Sequence, residues 1–331
     1  MILLICIIVV ALVFDFTNGF HDTANAIATS VSTRALSPRV AVAGAAVFNM
    51  AGAFWGQHVA KTVGKGIVET AHLTMHISQT LVLSALVAAI AWNLITWYFG
   101  IPSSSSHALI GGLVGAAIAA AGASHVLWGG LLDKVVIPMV LAPGIGFVVA
   151  FLVMITLLWL VARAHAAPVN RSFRRLQPLS AAAMAFAHGT NDAQKTMGII
   201  TLALLATHKI NSFSIPWWVI VLAATAMAAG TISGGWRIIH TLGSKVIKLD
   251  PIHGFAAETS AAGVILLSTH FGYPLSTTHT ITAAIMGTGA TQRLSAVRWG
   301  VAGNILTAWI LTLPMAALFG AGTYLVIHLF A

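Results

Sequence analysis

Asn18-Gly19-Phe20-His21-Asp22-Thr23-Ala24-Asn25 is echoed 170 residues later by His188-Gly189-Thr190-Asn191-Asp192-Ala193-Gln194-Lys195, with the glycine and the aspartate in register. Outward from this pair, Pro102-Ser103-Ser104-Ser105-Ser106-His107 returns as Pro274-Leu275-Ser276-Thr277-Thr278-His279 at an offset of 172, keeping the proline, the histidine and the hydroxyl run. Trp128 and Pro143 match Trp299 and Pro314 at 171, and Thr62 with Gly64 matches Thr241 with Gly243 at 179. One such match would be unremarkable in so biased a composition. Four in the same order read as a duplication.

The chain has 331 residues, 58% hydrophobic and 7% charged, with a mean hydropathy of +0.93; an ordinary soluble domain carries roughly 25% charged residues. Apolar runs long enough to cross a bilayer, about 20 residues each, recur along the whole sequence. The net charge of +9 comes from 16 Lys and Arg against 7 acids. In a soluble chain it would suggest nucleic acid, but here the basic residues sit mostly between spans, and no nucleic-acid partner is expected. The lone Cys6 excludes an internal disulfide and argues against a metal cluster. Met1 to Phe14 lacks the basic start and cleavage site of a signal peptide and reads as the first span. Arg163, Arg171, Arg174 and Arg175 cluster in the one long polar linker, which the positive-inside bias places in the cytoplasm.

These features predict an all-α polytopic membrane protein of two homologous, inverted repeats with broken helices and re-entrant hairpins. The expected division is a first transmembrane repeat over 1–165, a basic cytoplasmic linker over 166–178 and a second transmembrane repeat over 179–331. Each half has five apolar stretches, the fourth short, Gly-rich and opened by hydroxyls, as a re-entrant hairpin would be. An odd number of crossings per half inverts one repeat against the other, as in many secondary transporters.

Five of the seven acids, Asp15, Asp22, Asp133, Asp192 and Glu258, lie in or beside apolar stretches. A carboxylate at the bilayer centre costs about 2.5 to 3.5 kcal/mol on insertion scales, so such groups usually face a cavity or bind something. Asp22 and Asp192 are repeat equivalents. The glycine three residues before each predicts a helix interrupted there, with freed carbonyls to coordinate a cation beside the carboxylate; simple capping by a lone Asp is the plainer alternative.

The hydroxyl runs open helices. Proline suits a first helical turn, Ser and Thr cap it, and a helix N-terminus offers free N–H groups and a positive dipole end to an anion. Ser103, Ser104, Ser105 and Ser106 with Ser276, Thr277 and Thr278 would surround a tetrahedral oxyanion, phosphate or sulfate, without an arginine clamp. Packed, capped helix ends are the structural alternative. Asn25 becomes Lys195 in the second copy, an ammonium that takes a second cation's place, pairs with Asp192 or meets the anion; an interfacial Lys reaching for water is the plainer alternative. His21 and His188 flank the aspartate motifs, and His107 and His279 follow the hydroxyls, so a proton is a candidate coupling ion. Glu258, with Gln79 near its repeat position, could neutralise a cation or proton. No His or Cys cluster has zinc-like spacing.

At these motifs the sequence resembles the inorganic phosphate transporter (PiT) family in its compact bacterial form, most specifically in 19–26, 188–198 and 274–279. The resemblance implies symport of phosphate with H⁺ or Na⁺ through inverted repeats in the cell (inner) membrane. Carried over by position, Asp22, Asn25, Asn191 and Asp192 serve cation coupling, and Ser104, Ser105, Ser106, Ser276, Thr277 and Thr278 hold the anion. His21 and Lys195 depart from the Asn-Asp-x-x-Asn pattern, which disfavours a symmetric pair of Na⁺ sites and favours H⁺. The expectation is a symporter rather than an enzyme, with no cofactor, inorganic phosphate or a metal-phosphate as substrate, the lipid bilayer as surroundings and a homodimer as a compatible state. A single Na⁺ at Asp22 or Asp192 is the only metal allowed for. A sulfate symporter and a passive anion channel are the competing readings.

Overall fold

The computed structural model describes residues 1–70 and 73–330, the side chain of Phe330 excepted. The described residues form helices α1 (Ile2–Ser32), α2 (Pro38–Ala53), α3 (His58–Lys65), α4 (Met75–Tyr98), α5 (Ser105–Ala121), α6 (Trp128–Leu131) and α7 (Ile137–Leu160), then α8 (Ala166–Ala206), α9 (Trp217–Ser233), α10 (Trp236–His240), α11 (Pro251–His270), α12 (Thr277–Ala290) and α13 (Trp299–Phe330). In a bilayer core the backbone must satisfy its own hydrogen bonds, which leaves helices as the solution for so apolar a chain.

Four helical segments, Ile2–Ser32, Met75–Tyr98, Trp128–Leu160 and Trp299–Leu329, are long and apolar enough to cross a membrane, and two bent pairs bring this to six. The bends fall between α2 and α3 (73°) and between α9 and the α10 segment (61°). These are the broken helices, each in the second apolar stretch of its half. Pro143 and Pro314, by contrast, sit inside α7 and α13 without ending either helix. Residues 166–178, expected as a linker, are helical and form the start of the 41-residue α8, with Arg171, Arg174 and Arg175 exposed.

The two sequence halves interlock. α1 packs on α9 and α8 packs on α2; α5 packs on α13 and α12 on α7. The helices of each aspartate motif therefore lie against the opposite half.

Glycine explains how closely they approach. A Cβ on Gly19 would stand 2.2 Å from the Met227 carbonyl oxygen, and one on Gly189 would stand 2.1 Å from that of Asn49. α1 and α8 run unbroken through these residues, which corrects the expected interruption before Asp22 and Asp192. These glycines admit a neighbouring backbone, as small residues do at membrane helix crossings.

Candidate functional site

Two hairpin turns meet at the centre of the molecule. The turn before α5 carries Ser103 to Ser106, and the turn before α12 carries Ser276 to Thr278; all seven residues are buried. Ser104 caps α5 by accepting from the His107 N–H (3.2 Å), and Ser276 caps α12 by accepting from the His279 N–H (3.2 Å). The same local chemistry thus starts both helices. It also aims both positive dipole ends at the centre. Ser106 Oγ donates to the Leu275 carbonyl (3.0 Å), joining one turn to the other.

Asp22 on α1 and Asp192 on α8 are 2% and 0% exposed. His21 Nδ1 lies 2.5 Å from Asp22 Oδ1, and its Nε2 lies 3.1 Å from Thr96 Oγ1. Ser105 (3.4 Å) and Thr278 (3.3 Å) donate to the Asp22 carboxylate, one from each hairpin turn. Ser103 donates to Thr96 (2.8 Å).

Asn25 and Lys195 make matching crossings. Asn25 Nδ2 donates to Thr277 (3.2 Å) and Thr278 (2.9 Å) of the second half. Lys195 Nζ donates to Ser106, the counterpart of Thr278, in the first half, to the Leu275 carbonyl (3.1 Å) and to Asp192 Oδ1 (2.6 Å). Of the places open to Lys195 in the sequence, the structure gives it the pairing with Asp192, in contact with the Ser106 hydroxyl. Its ammonium is fully buried rather than reaching for water.

His188 stands between the aspartates. Its Nε2 lies 3.5 Å from Asp192 Oδ2 and 4.0 Å from Asp22 Oδ2, and one ligand atom from each of the three residues falls within 4.8 Å of the others. Its Nδ1 lies 3.0 Å from Asn49 Oδ1. Asn49 Nδ2 donates to Thr231 Oγ1 (2.9 Å), whose own proton goes to the Met227 carbonyl (2.9 Å). This chain fixes the amide oxygen of Asn49 toward His188, so Nδ1 carries the proton and Nε2 turns a lone pair, or in the imidazolium a second proton, toward both carboxylates. Two carboxylates and one imidazole nitrogen fit a cation, with Asn49 as the outer residue that sets the ring.

Asn191 turns away, donating to Thr269 (2.8 Å) and the Tyr273 carbonyl (3.2 Å). Glu258 is not part of the central cluster. It accepts from Thr29, seven residues beyond Asp22 on α1, and from Ser180 on α8. Asp133 is exposed in a π-helical turn between α6 and α7. His107 and His279 lie behind the hydroxyls, their rings 4.9 Å apart, with His279 stacked on Trp309.

Residues that sequence reasoning passed over are Thr96, Asn49 and Thr231. Each is a polar residue within a largely apolar stretch, and that was the available signal.

The chain matches the Phosphate transporter family over residues 18–320. It is 52% identical over 331 residues to a Rhizobium meliloti protein named a probable low-affinity inorganic phosphate transporter, covering 99% of this chain and 98% of that one. A Bacillus subtilis protein of the same name is 48% identical over 330 residues, covering 99% and 98%. A solved structure titled "The sodium-dependent phosphate transporter" superposes with a TM-score of 0.91 at 26% identity, covering 100% of both chains. These relatives are transporters, not enzymes.

Proposed function

This chain belongs to the phosphate transporter family, and we propose that it imports inorganic phosphate across the cell (inner) membrane as a symporter, driven by H⁺ or Na⁺, through alternating access of two inverted repeats. The observation that carries this reading is the pair of crossings Asn25–Thr278 and Lys195–Ser106. Each aspartate motif holds the hydroxyl turn of the other half, so a cation at one element and an anion at the other act on a shared set of bonds.

In this mechanism a proton or Na⁺ reaches the Asp22–His188–Asp192 cluster and offsets its negative charge. That favours entry of hydrogen phosphate between the N-termini of α5 and α12. Ser103 to Ser106 and Ser276 to Thr278 exchange their internal hydrogen bonds for bonds to the anion's oxygens, and Lys195 supplies a positive charge at its edge. The gain is greatest when both ions are present, and linkage then requires phosphate to tighten cation binding by the same factor. Rocking of one half against the other opens the site to alternate sides.

The neighbouring solved structure's title supports Na⁺ as the driving ion; the fixed Lys195 ammonium and the two histidines at the aspartates support H⁺. Phosphate uptake into proteoliposomes with pH and Na⁺ gradients imposed separately decides between them. Uphill accumulation under either gradient is expected, and its absence under both would sink symport in favour of a channel. Displacement of phosphate by an equal concentration of sulfate would overturn the choice of anion.

A further inference from the structure

α3 stands between the central site and one surface of the molecule. A Cβ on Gly272, in the turn before α12, would lie 3.2 Å from the His58 carbonyl oxygen and 3.3 Å from Thr62 Oγ1, so α3 covers the tip of the second hairpin. Beside Thr62, α3 also borders a cleft of about 330 Å³ lined by Lys61, Lys65, Gly66, Lys134 and Phe213.

Local packing brings the three lysines together. The Leu127 N–H donates to the Ile67 carbonyl (2.9 Å), and Gly130 sits against the Gly66 carbonyl, so α6 docks on the end of α3 and Lys134 follows in the π-helical turn. Phe213 lies against Gly64, and the Lys65 ammonium stands 5.4 Å from the centre of its ring. All three lysines are exposed, no acid lines the cleft, and among the described residues none of their ammoniums forms an ion pair. Like charges around one cleft repel one another, and an anion between them turns that repulsion into attraction.

The cleft has a side. Lys65 also lines an adjoining cavity with Leu205, Ala206 and His208 at the C-terminal end of α8, whereas Arg171, Arg174 and Arg175 lie near its N-terminal end. α8 has 41 residues, about 60 Å of helix, so the cleft and the arginines face opposite sides of a bilayer. The positive-inside bias puts the arginines in the cytoplasm and hence the cleft outside. The first hairpin has a matching arrangement: Thr241, the repeat counterpart of Thr62, donates to the Gly100 carbonyl (2.9 Å), beside a cleft lined by Arg237, His240 and Lys245.

We propose that Lys61, Lys65 and Lys134 form an outer capture site for a small oxyanion, distinct from the central hydroxyl cradle. Under the transport reading above, on which this inference rests, the anion is hydrogen phosphate, and it moves on to the hydroxyl turn when α3 and the tip of the second hairpin part. Exposed, hydrated ammoniums hold such an anion weakly, which suits capture followed by release. Their field raises its rate of arrival, and salt screens that gain.

The test uses full-length Lys65→Cys in a Cys6→Ala background, in right-side-out membrane vesicles. Membrane-impermeant thiol reagents added outside attach either a sulfonate or a quaternary ammonium. At low ionic strength the sulfonate adduct should show a KM for phosphate uptake about tenfold above that of the ammonium adduct, with equal maximal rates. The difference should vanish in about 1 M salt. Inorganic phosphate outside should also slow labelling by the sulfonate reagent, a reading that does not need transport. Equal KM values for the two adducts, or labelling that phosphate does not slow, would overturn the site. So would an effect seen in native membranes and lost in vesicles of neutral phospholipid, which would assign the lysines to lipid phosphate. Phosphate protection without uptake under any gradient would fail the transport reading and leave the capture site standing.

Discussion

Lys195 Nζ lies 2.6 Å from Asp192 Oδ1, one helical turn away on α8, with both side chains essentially sealed from solvent. The first half places Asn25 and Asp22 in the corresponding relation, without the positive charge. One motif therefore carries a fixed ammonium beside its aspartate, and the other carries a neutral amide at the matching position. From this asymmetry and the crossings around it, four outcomes are expected.

Lys195→Met alone strands a buried carboxylate, and Asp192→Leu alone strands a buried ammonium; either should destabilise the protein by about 3 to 5 kcal/mol. The double variant should recover most of that loss while remaining inactive in uptake. Thermal unfolding in detergent, run as a double-mutant cycle, reads the recovery, and additive single effects would show that the pair does not act as one unit.

Asp22→Asn should abolish gradient-driven phosphate uptake and leave the fold intact, because an amide keeps the shape and one of the two oxygens that accept from Ser105 and Thr278 but carries no charge for a cation to offset. Normal accumulation by the folded variant would remove Asp22 from coupling.

Ser106→Ala and Thr278→Val remove equivalent crossings, but the first leaves a buried ammonium short of a partner while the second affects a neutral amide. A neutral hydrogen bond is worth about 0.5 to 1.5 kcal/mol and one to a charged group about 1.5 to 3. Ser106→Ala should therefore weaken phosphate affinity more than Thr278→Val in equilibrium binding assays, and the reverse order would contradict the asymmetry.

Gly19→Ala and Gly189→Ala each force a methyl group against a backbone carbonyl at 2.2 and 2.1 Å. Overpacking of this kind costs about 1 to 3 kcal/mol, whereas Gly44→Ala meets nothing within 4 Å and should be neutral or gain up to about 1 kcal/mol of helix propensity. Melting temperatures of the three variants provide the comparison. Equal behaviour of Gly19→Ala and Gly44→Ala would mean that α1 and α9 can move apart freely.

Much of the site was legible because its rules are local. Ser104 and Ser276 cap their helices through residues three positions away, and the spacing of proline, hydroxyls and histidine records that bond. Asp22 and Asp192 were conspicuous because charge is costly in an apolar stretch. Gly19 was misread, since a glycine that breaks a helix and one that admits a neighbour look alike until the neighbour is known. Glu258 was grouped with the aspartates because it too is a lone acid, yet Thr29 and Ser180 hold it two turns away along α1.

By itself, the sequence determined the solvent, the helical class, the duplicated motifs and the capped starts of α5 and α12, because hydropathy and capping act over a few residues. Only the tertiary structure decided that Asn25 meets Thr278, that Lys195 meets both Asp192 and Ser106, and that Asn49 turns His188 toward two carboxylates. Those contacts depend on how α1 and α8 pack against the opposite half, and packing is settled by shape and backbone approach across residues far apart in the chain.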